Sequence, residues 1–459
     1  MAVTVTAYPR RSTKLDDGAE LWNWAGNATL ARSSAVTSPA TEDELRAAVT
    51  TGPGRVRLAG SRMSAGRMLK LAAEGDRLVD TSRLRGLLGT GPDSATFAGG
   101  TSLQEVYDVL TPMGRALPSS PGVIASQTLA GALATGTHGQ GLSQGSLADA
   151  ALSIRMVLAD GSVQEFDRAH PSFPAAQLGL GVLGAVSAVT LRTVPSLVYS
   201  CHKDAVSADD LGTKLTSWNR ENALSKAWWF PDENLVHVWT AQEAAPAEQL
   251  AYRAGGSALL ERAETSDAMN RTIDRTLTNM RGDTQILDAA GKPYRTVNRF
   301  KDFSDVTGDV YQVFCRGIAT PQINVEIAVP LHRVDEVVAV LKAWHARTNP
   351  HMHYPVILRC TGPSSAWLSP AFEQETCWFG FVVYYAEDGS LSEGGMDFLR
   401  AVEEVLADEG GRPHWGKYFE APLYDWAARY PRWEDFRRVR EQLDPQHRFA
   451  NAFTDALFD

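Results

Sequence analysis

Cysteine is scarce in this 459-residue chain, and its spacing excludes two kinds of structure. The four cysteines are Cys201, Cys315, Cys360 and Cys377, and no two of them form a C-x-x-C pair. Small disulfide-dependent domains carry many closely spaced cysteines, and structural zinc sites use paired ones. The sequence therefore indicates neither a disulfide framework nor a zinc site, and we expect no bound metal.

Two further absences concern the surroundings of the protein. The chain has no run of about 18 apolar residues, and its beginning, MAVTVTAYPRRSTKLDDG, lacks the apolar stretch of a secretion signal. Positive charge is in deficit as well, with a formal net charge of −10, whereas nucleic acids and anionic membranes are bound by basic surfaces. We expect a cytoplasmic protein of two or three domains that binds neither nucleic acid nor membrane.

Formally charged side chains are missing altogether from residues 118–145, PSSPGVIASQTLAGALATGTHGQGLSQG. The stretch is rich in Gly, Ala, Ser and Thr instead. Glycine lets the backbone approach a ligand closely, and clustered backbone amides bind anions. We interpret the stretch as the cradle of a phosphate-bearing cofactor of dinucleotide size; the alternative is a loop that joins two strands.

The flanking patterns predict a mixture of helices and strands. Thr41, with Glu44 three residues later, predicts a capped helix. The pair Asp160-Gly161 predicts the turn of a β-hairpin. The predicted strand RVRLA ends in a Gly-Ser turn at residues 60–66, where a second group of amides could meet phosphate.

Residues 179–184, GLGVLG, match the G-x-G-x-x-G pattern of nicotinamide-binding Rossmann folds. In those folds the pattern opens a helix. Here the next residues, from Val186 to Val194, alternate and include many β-branched side chains, which predicts a strand. We therefore reject a nicotinamide dinucleotide as the cofactor.

Eight motifs, taken together and in order, resemble those of the vanillyl-alcohol oxidase superfamily of flavoproteins, in its sugar-1,4-lactone oxidase and alditol oxidase branch. They are WNWAGN, RVRLAGS, QTLAGALATGTHGQG with SLAD, LGLGVLGAVSAVTL, WWFP with VHVWT, HYPVILRCT with WLSP, HWGKYF, and LDPQHRFANAF. The resemblance covers nearly the whole chain and implies an α+β fold. It places a two-subdomain FAD-binding domain of the p-cresol methylhydroxylase type in residues 1–197. An α+β cap domain with an antiparallel sheet would follow in residues 198–412, and residues 413–459 would return to the flavin.

The reaction implied by the resemblance is hydride transfer from a substrate C–H bond to flavin N5, with oxygen as electron acceptor. Lys417 matches the family lysine near flavin N1 and C2=O, where a cation would stabilise the reduced flavin. The alternative for Lys417 is a solvated surface lysine. Backbone near Val186 would pair with adenine. The residues expected to bind FAD are Gly60, Ser61, Arg62, Met63, Ser64, Ser126, Thr128, Gly131, Thr135, Gly136, Thr137, His138, Gly139, Gly184, Val186, His414 and Lys417.

One departure from the family pattern concerns how FAD is attached. Members with covalent FAD carry Gly-x-Gly-His-Ser, in which the histidine bonds the flavin. This chain has Gly60-Ser61-Arg62-Met63-Ser64, with Met63 at the histidine position. A thioether has no N–H to lose, so we expect non-covalent FAD.

Other departures concern the substrate. The family's Glu-x-Arg pair reads Ile357-Leu358-Arg359 here, so the arginine is present and its acidic partner is absent. Two polar substrate contacts of alditol oxidases align with Val123 and Gly380. Unpaired buried substrate hydroxyls would cost roughly 1–3 kcal/mol each, so we expect a substrate that is less polar than a free sugar, as secondary metabolism would supply, or one that is bound by other residues.

The role of Arg359 has two readings at this point. Its guanidinium could bind a substrate carboxylate or carbonyl, or it could pair with an acidic residue elsewhere in the chain. The expected activity is that of an FAD-dependent oxidase acting on an alcohol, a lactol or a related substrate. The alternatives are a flavin-binding protein without redox activity and a dehydrogenase with another acceptor.

The expectation that oxygen is the electron acceptor rests on Gly122. In the family loop before the TLAG-like segment, a small residue at this point is typical of oxidases, and an alanine in a dehydrogenase is thought to narrow the path of oxygen to the flavin. The alternative is that Pro121-Gly122 is only a turn.

Overall fold

The computed structural model describes residues 20–122, 124–255, 286–287, 293–294, 305–314, 322–350, 352, 355–384 and 394–458. The strands are β1 Glu20–Trp22, β2 Thr29–Arg32, β3 Val36–Thr37, β4 Val56–Ala59, β5 Arg77–Asp80, β6 Leu87–Thr90, β7 Ser94–Ala98, β8 Arg115–Ala116, β9 Ala151–Val157, β10 Val163–Asp167, β11 Ala185–Arg192, β12 Val194–Pro195, β13 Val198–Ser207, β14 Leu224–Phe230, β15 Leu235–Glu243, β16 Ile286–Leu287, β17 Pro293–Tyr294, β18 Val306–Asp309, β19 Gln322–Pro330, β20 Val356–Thr361, β21 Thr376–Tyr384 and β22 Arg412–Pro413. The α-helices are α1 Glu42–Thr50, α2 Leu103–Leu110, α3 Leu129–Ala134, α4 Phe173–Gln177, α5 Leu211–Glu221, α6 Pro246–Arg253, α7 Val310–Phe314, α8 Val334–Thr348, α9 Gly395–Asp408, α10 Trp426–Arg429, α11 Trp433–Leu443 and α12 Ala452–Phe458.

The first part of the chain contributes two separate sheets. One is parallel, in the order β3-β5-β4, and the other is antiparallel, in the order β10-β9-β11-β7-β6. The expected hairpin is β9 and β10, and Gly161 in its turn has a φ of +81°. The strand expected after GLGVLG is β11, so the structural argument against a Rossmann helix is confirmed.

The helix cap predicted at Thr41 is present in the structure. The Thr41 hydroxyl accepts a hydrogen bond from the Glu44 amide, 3.2 Å away, at the start of α1. The Glu44 carboxylate accepts from the Ala40 amide at 2.7 Å, one residue before the position that a capping box requires. The short helix α3 lies inside the small-residue stretch, where we expected only a cradle.

The second large unit is an eight-stranded antiparallel sheet in the order β18-β13-β15-β14-β20-β21-β19-β22. One face packs against α5, α8 and α9 through a core of aliphatic and aromatic side chains. The opposite face carries the polar side chains of the candidate site. Every strand of this sheet comes from residues 198–413, whereas the expected domain boundaries themselves stay a prediction.

The C-terminal segment packs back onto the first part of the chain. Arg448 donates its main-chain N–H to Asp444 and accepts from the amide of Val56 at 2.7 Å. The side-chain amide of Asn451 donates hydrogen bonds to the carbonyls of Met68 and Lys70, both at 2.9 Å. The C-terminal segment and residues 56–70 therefore belong to one structural unit.

Within the described parts of the chain, none of the helices is both long enough and apolar enough to span a lipid bilayer.

Candidate active site

A cleft with about 1020 Å³ of empty space lies between β4, α3 and the loop before β11. Ten of the seventeen residues expected to bind the cofactor line it: Gly60, Ser61, Arg62, Met63, Ser64, Thr128, Gly131, Thr135, Gly184 and Val186. The turn after β4, α3 and the GLGVLG segment thus meet at one cleft. That arrangement suits a long cofactor which contacts several segments at once.

The turn at residues 61–64 is held open by the WNWAGN motif. The Trp24 amide donates to the Arg62 carbonyl at 2.8 Å, and the Asn23 side chain donates to the Ser64 carbonyl at 3.0 Å. Arg62 adopts a left-handed backbone with a φ of 58°. Since the carbonyls are tied to this motif, the amides of residues 61–64 donate to no other described residue and stay available for a phosphate.

Arg57 lines the cleft but was not among the residues expected from the sequence to bind the cofactor. It is only 1% exposed, and its guanidinium donates to the carbonyls of Met68 at 2.8 Å, Gly181 at 3.1 Å and Leu180 at 3.2 Å. It also donates to the Phe449 carbonyl. Arg57 therefore joins β4, the GLGVLG segment and the C-terminal segment around the cleft.

The remaining expected cofactor residues lie outside this cleft. Gly136 packs against Leu178 and Gly139 against Gln144 and Ser119, and the Thr137 hydroxyl donates to the Gln127 side chain at 2.6 Å. The Ser126 carbonyl accepts from the Ser61 hydroxyl. Direct FAD contacts from these four residues stay predictions. His138, His414 and Lys417 belong instead to a charged cluster.

That charged cluster is centred on Glu326, in the middle of β19. Its carboxylate accepts a hydrogen bond from Arg359, and it lies 3.4 Å from His138 Nε2 and 4.0 Å from Lys417 Nζ. Arg359 Nη2 is also 3.2 Å from His138 Nε2. Of the two interpretations of Arg359, the structure therefore shows the pairing with an acidic residue elsewhere in the chain, and that residue lies on another strand.

The register of the sheet explains how this pairing arises. Ile357 on β20, Gly380 on β21 and Glu326 on β19 are direct neighbours across the strands and share one face. Arg359 lies two residues beyond Ile357, on the same face. Since Gly380 places no side chain between them, the guanidinium can cross β21 diagonally to Glu326. Gly380 therefore leaves room for an ion pair.

Lys417 and His414 reach the cluster because their segment runs along the edge of β19. The His414 amide donates to the Glu326 carbonyl at 2.8 Å, and the Tyr418 amide donates to the Asn324 carbonyl at 2.9 Å. Trp415 points the other way into an aromatic core, where its indole N–H donates to the Leu368 carbonyl at 2.7 Å. The alternative of a solvated surface lysine fails, because the Lys417 side chain is 22% exposed and faces Glu326.

The cluster contains the Glu326 carboxylate, two cations and two neutral imidazoles. The cations are Arg359 and Lys417, and the imidazoles are those of His138 and His414. Burial alone would raise the pKa of Glu326, but the positive charges of Arg359 and, less strongly, Lys417 hold it well below the usual range. Burial, followed by the charge of Arg359, lowers the pKa of His138 to about 4. Burial also lowers the pKa of His414 well below its usual range.

Hydrogen bonds fix the tautomers of the two imidazoles. His138 Nδ1 lies 3.0 Å from the Gly139 carbonyl, so Nδ1 carries the proton and Nε2 keeps its lone pair. His414 Nδ1 accepts from the Gly416 amide at 2.9 Å, so its proton is on Nε2. The donor atoms of His138, Glu326 and His414 lie within 4.8 Å of one another, a spacing that a metal could use. Because the His414 Nε2 proton would have to leave, and two cations already face Glu326, we interpret the group as a hydrogen-bonded network.

The other substrate-side residues flank this network. A Cβ added to Gly122 would lie 1.7 Å from Nη1 of Arg359, which shows how closely the Pro121-Gly122 turn approaches the guanidinium. Ile357 and Gly380 lie beside Arg359 and Glu326 on the sheet face. Val123 lies outside the described residues, so its expected place in the substrate pocket stays a prediction.

Comparison with known protein families identifies the chain. The profile of an FAD binding domain matches residues 33–167, and that of D-arabinono-1,4-lactone oxidase matches residues 189–457, more than half of the chain. The chain belongs to the D-arabinono-1,4-lactone oxidase family. It is an FAD-dependent oxidoreductase of the aldonolactone and alditol oxidase type, as the motif resemblance implied.

Named relatives of this D-arabinono-1,4-lactone oxidase family member match over most of its length. An L-gulono-1,4-lactone dehydrogenase of Mycobacterium tuberculosis is 28% identical over 95% of this chain and 98% of its own length. An alditol oxidase of a Streptomyces species is 27% identical over the same shares of the two chains. The L-gulonolactone oxidase of Mus musculus is 27% identical over 79% of this chain and 80% of its own.

A solved structure of similar shape confirms the fold class of the family member. Cholesterol oxidase from Brevibacterium sterolicum has a TM-score of 0.74, with 16% sequence identity over 95% of this chain and 96% of that one. The expected combination of a p-cresol methylhydroxylase-type FAD-binding domain and a cap domain with an antiparallel sheet is therefore confirmed.

Sequence reasoning missed Glu326, Arg57 and Trp378. Trp378 stacks on the His138 ring with 3.7 Å between centroids and so fixes its plane. A signal for Glu326 was present, because it is the one acidic residue in the apolar strand INVEIAVP. Arg57, in RVRLA, stands in the same kind of apolar setting. A charged residue inside a buried strand must find a partner, although the sequence does not say which one.

Proposed function

We propose that the protein is an oxidase that removes a hydride from an alcohol, lactol or related carbon and delivers it to FAD, with oxygen as electron acceptor. The observation that carries this proposal is the charged cluster of Glu326, Arg359, His138 and Lys417, next to a cleft that suits FAD. Arg359 Nε is buried and has no hydrogen-bond partner among the described residues, so a donor remains for a ligand.

The donor set around the cleft suits FAD. The amides of residues 61–64 would face the pyrophosphate, and Arg62 Nη1 is buried without a partner in the described part of the chain. Val186, which lines the cleft, would lie at the adenine end. When bound, FAD supplies the hydride acceptor. Lys417 would place a positive charge near the flavin edge on which reduction leaves negative charge.

Non-covalent attachment of FAD is part of the proposal. Met63 lines the cleft at the position where covalently linked relatives carry histidine, and its thioether cannot form that bond. Acid precipitation of the purified protein should therefore give a colourless pellet and a yellow supernatant. A pellet that stays yellow would show that some residue holds the flavin covalently.

Substrate oxidation needs one group to orient the hydroxyl and one to take its proton. Arg359 would donate a hydrogen bond to the substrate oxygen from its unpartnered Nε. His138 Nε2 carries no proton, and a proton transferred to it would face the Glu326 carboxylate 3.4 Å away. Arg359 Nη2 lies 3.2 Å from the same nitrogen. Both groups are weak bases, because burial lowers the pKa of His138 to about 4 and cations hold the pKa of Glu326 low. We assign His138 the role of proton acceptor, and Glu326 the role of orienting Arg359 and stabilising protonated His138.

The residues around the cluster favour a substrate that is less polar than a free sugar. Ile357 and Gly380 offer no side-chain hydrogen bond beside Arg359. The same sheet face continues into a cluster of buried aromatic side chains that includes Trp228 and Trp239. A polyol would leave several hydroxyls unpaired here, each at a cost of roughly 1–3 kcal/mol. Secondary metabolism would supply alcohols of this kind.

A flavin-binding protein without redox activity is now the weaker alternative. Its support was the missing acidic partner of Arg359, and Glu326 provides that partner. A dehydrogenase with another acceptor is favoured by one relative, which is named L-gulono-1,4-lactone dehydrogenase, whereas others are named oxidases. The small size of Gly122 supports the proposal that oxygen is the electron acceptor.

The decisive experiment separates the two half-reactions. The FAD-loaded protein would be mixed anaerobically with a panel of alcohols, lactols and lactones, and loss of the visible absorbance of oxidised flavin identifies the substrate. Air-saturated buffer is then added to the reduced protein. We expect reoxidation within seconds. Reoxidation that takes many minutes would contradict the oxidase assignment, and bleaching by no member of the panel would contradict the substrate class.

A further inference from the structure

Arg62 combines a long charged side chain with a backbone conformation that favours glycine. Its φ is 58°, in the left-handed region, where a residue with a Cβ is disfavoured. In the Gly-x-Gly-His-Ser pattern of relatives with covalent FAD, a glycine stands where this chain has Arg62. Strained backbone of this kind is concentrated at ligand-binding sites, where the surrounding structure maintains it. An arginine here costs conformational energy, so we expect a compensating benefit from its guanidinium group.

The protein around this guanidinium group satisfies it only in part. Nη1 of Arg62 is buried and has no hydrogen-bond partner among the described residues. Burial lowers the pKa of Arg62, and the charge of Asp80 raises it to a smaller extent. The Asp80 carboxylate accepts a hydrogen bond from the Ser82 amide at 2.9 Å. A buried donor without an acceptor is costly, so an acceptor supplied by a ligand would stabilise this arrangement.

The cleft beside Arg62 is suited to an anion. Among the described residues that line it there is no Asp or Glu, and the charged ones are Arg57 and Arg62. Arg57 already donates to four main-chain carbonyls, whereas Arg62 lies in the turn whose amides, at residues 61–64, remain available. Guanidinium groups bind phosphate oxygens through paired N–H bonds, and neutral amides add further donors. The ligand chemistry that fits these donors is a diphosphate.

We propose that the Arg62 guanidinium binds the diphosphate group of FAD, and that this ion pair anchors the cofactor in place of the covalent bond that Met63 cannot form. The inference rests on the proposed function, because it takes FAD as the occupant of the cleft. Arg62 and Met63 are adjacent in one turn, so the cation is added where the linking histidine is missing. The amides of residues 61–64 orient the diphosphate, and Arg62 supplies the net charge that amides lack.

The test follows release of FAD when the loaded protein is diluted, through the change in flavin fluorescence. Arg62→Met should weaken FAD binding about tenfold or more, because a charged hydrogen bond to phosphate is lost. Arg62→Lys keeps the charge without the paired geometry, so its loss should be smaller. Arg83→Met, which removes an exposed arginine outside the cleft, is the matched control and should bind FAD as the wild type does.

A competition measurement separates binding of phosphate from support of the turn. ADP and adenosine differ only in the diphosphate, and ADP should displace FAD from the wild type at the lower concentration. This preference should fall about tenfold in Arg62→Met, whereas a purely structural role would weaken both competitors alike. Arg62→Gly removes the charge and the backbone strain together, so it gives the same decision should Arg62→Met fail to fold.

The outcomes distinguish this inference from the proposed function. Equal FAD affinity of the wild type and the charge-free variants, or an unchanged preference for ADP over adenosine, would overturn the role of Arg62. Covalent FAD in the wild type would overturn it as well, because no substitute for the bond would be needed. A wild-type protein that binds no FAD would instead count against the proposed function.

Discussion

Two regions of this protein are each built around a buried glutamate, and the two carboxyl groups are in opposite states. Glu326 is 4% exposed and faces Arg359, His138 and Lys417. Glu403 on α9 is fully buried and accepts hydrogen bonds from the Glu420 amide at 2.8 Å and the Tyr424 hydroxyl at 2.9 Å.

The pKa values follow from these surroundings. Cations hold the pKa of Glu326 well below its usual range despite burial. For Glu403, burial raises the pKa to about 7, because its two hydrogen bonds oppose this only in part and no cation pairs with it in the described structure. The comparison teaches that burial alone makes a carboxyl group neutral, and that a charged one in the interior indicates an arrangement of cations. In this protein that arrangement lies at the candidate active site.

The largest expected effect comes from removing the carboxylate that the cations share. Glu326→Ala leaves Arg359 and Lys417 facing each other without a counter-charge, and breaking a buried pair in this way costs about 3–5 kcal/mol. Urea unfolding of the FAD-loaded protein measures the loss. Glu326→Gln keeps the shape and one acceptor for Arg359, so its loss should be smaller. A free energy of unfolding for Glu326→Ala within about 1 kcal/mol of wild type would contradict the ion-pair description.

A smaller effect is expected when the cluster is disturbed from outside. In Gly122→Ala the new methyl group would meet Nη1 of Arg359, so the guanidinium must move away from Glu326. Such overpacking costs about 1–3 kcal/mol, which corresponds to roughly 5- to 150-fold slower flavin reduction by substrate. Anaerobic stopped-flow absorbance measures that rate. Gly89→Ala is the control, since a Cβ there has open space.

The same variant separates two roles of Gly122. Slower reduction shows that the added methyl displaces Arg359. If only reoxidation by oxygen slows, the methyl obstructs the oxygen path and Arg359 has not moved. In that case the steric argument would be wrong and the expected oxygen-access role of Gly122 would gain support.

Glu403 predicts a pH dependence of stability with a definite sign. Below pH 4.5 the carboxyl group is protonated in both the folded and the unfolded chain. Between pH 4.5 and about 7 the unfolded chain loses the proton while the folded protein keeps it, so stability falls as pH rises. Glu403→Gln imitates the protonated group and should stabilise the protein by about 1–3 kcal/mol at pH 8 and by little at pH 5. Glu404→Gln, at an exposed neighbour, should show no such difference in thermal or urea unfolding.

The smallest effect is expected at Lys417, the more distant of the two cations. Its Nζ is 4.0 Å from Glu326, and part of the side chain reaches solvent, which screens its charge. Lys417→Met should lower the midpoint potential of bound FAD by about 20–40 mV, or about 1–2 kcal/mol. A spectroelectrochemical titration measures this, and Lys417→Arg should restore the potential. An unchanged potential in Lys417→Met would place the lysine away from the flavin.

Much of the cleft could be predicted from the sequence, because the features that identify its residues are local. Gly60 to Ser64 form a turn directly after a strand, and the small residues around Gly131 allow a close approach of backbone to ligand. Such features depend on residue type and near neighbours in the chain. The FAD contacts expected at Gly136, Thr137 and Gly139 stay predictions, since these residues pack against Leu178, Gln127 and Gln144 respectively.

Only some members of the charged cluster could be predicted from the sequence. His414 and Lys417 were selected through a short motif, and Arg359 through its strand, but their shared partner Glu326 was not. The reason is the distance along the chain, since Arg359 and Glu326 are 33 residues apart and meet across an intervening strand at Gly380.

The sequence by itself determined the turns that line the cleft, the strand after GLGVLG and the family to which the chain belongs, because each is encoded in contiguous residues. Only the tertiary structure decided which charges meet. Strand order and register place Glu326, Ile357 and Arg359 on one face, and neither order nor register is encoded in any single strand. A buried charge specifies that a partner must exist, whereas the fold selects the partner.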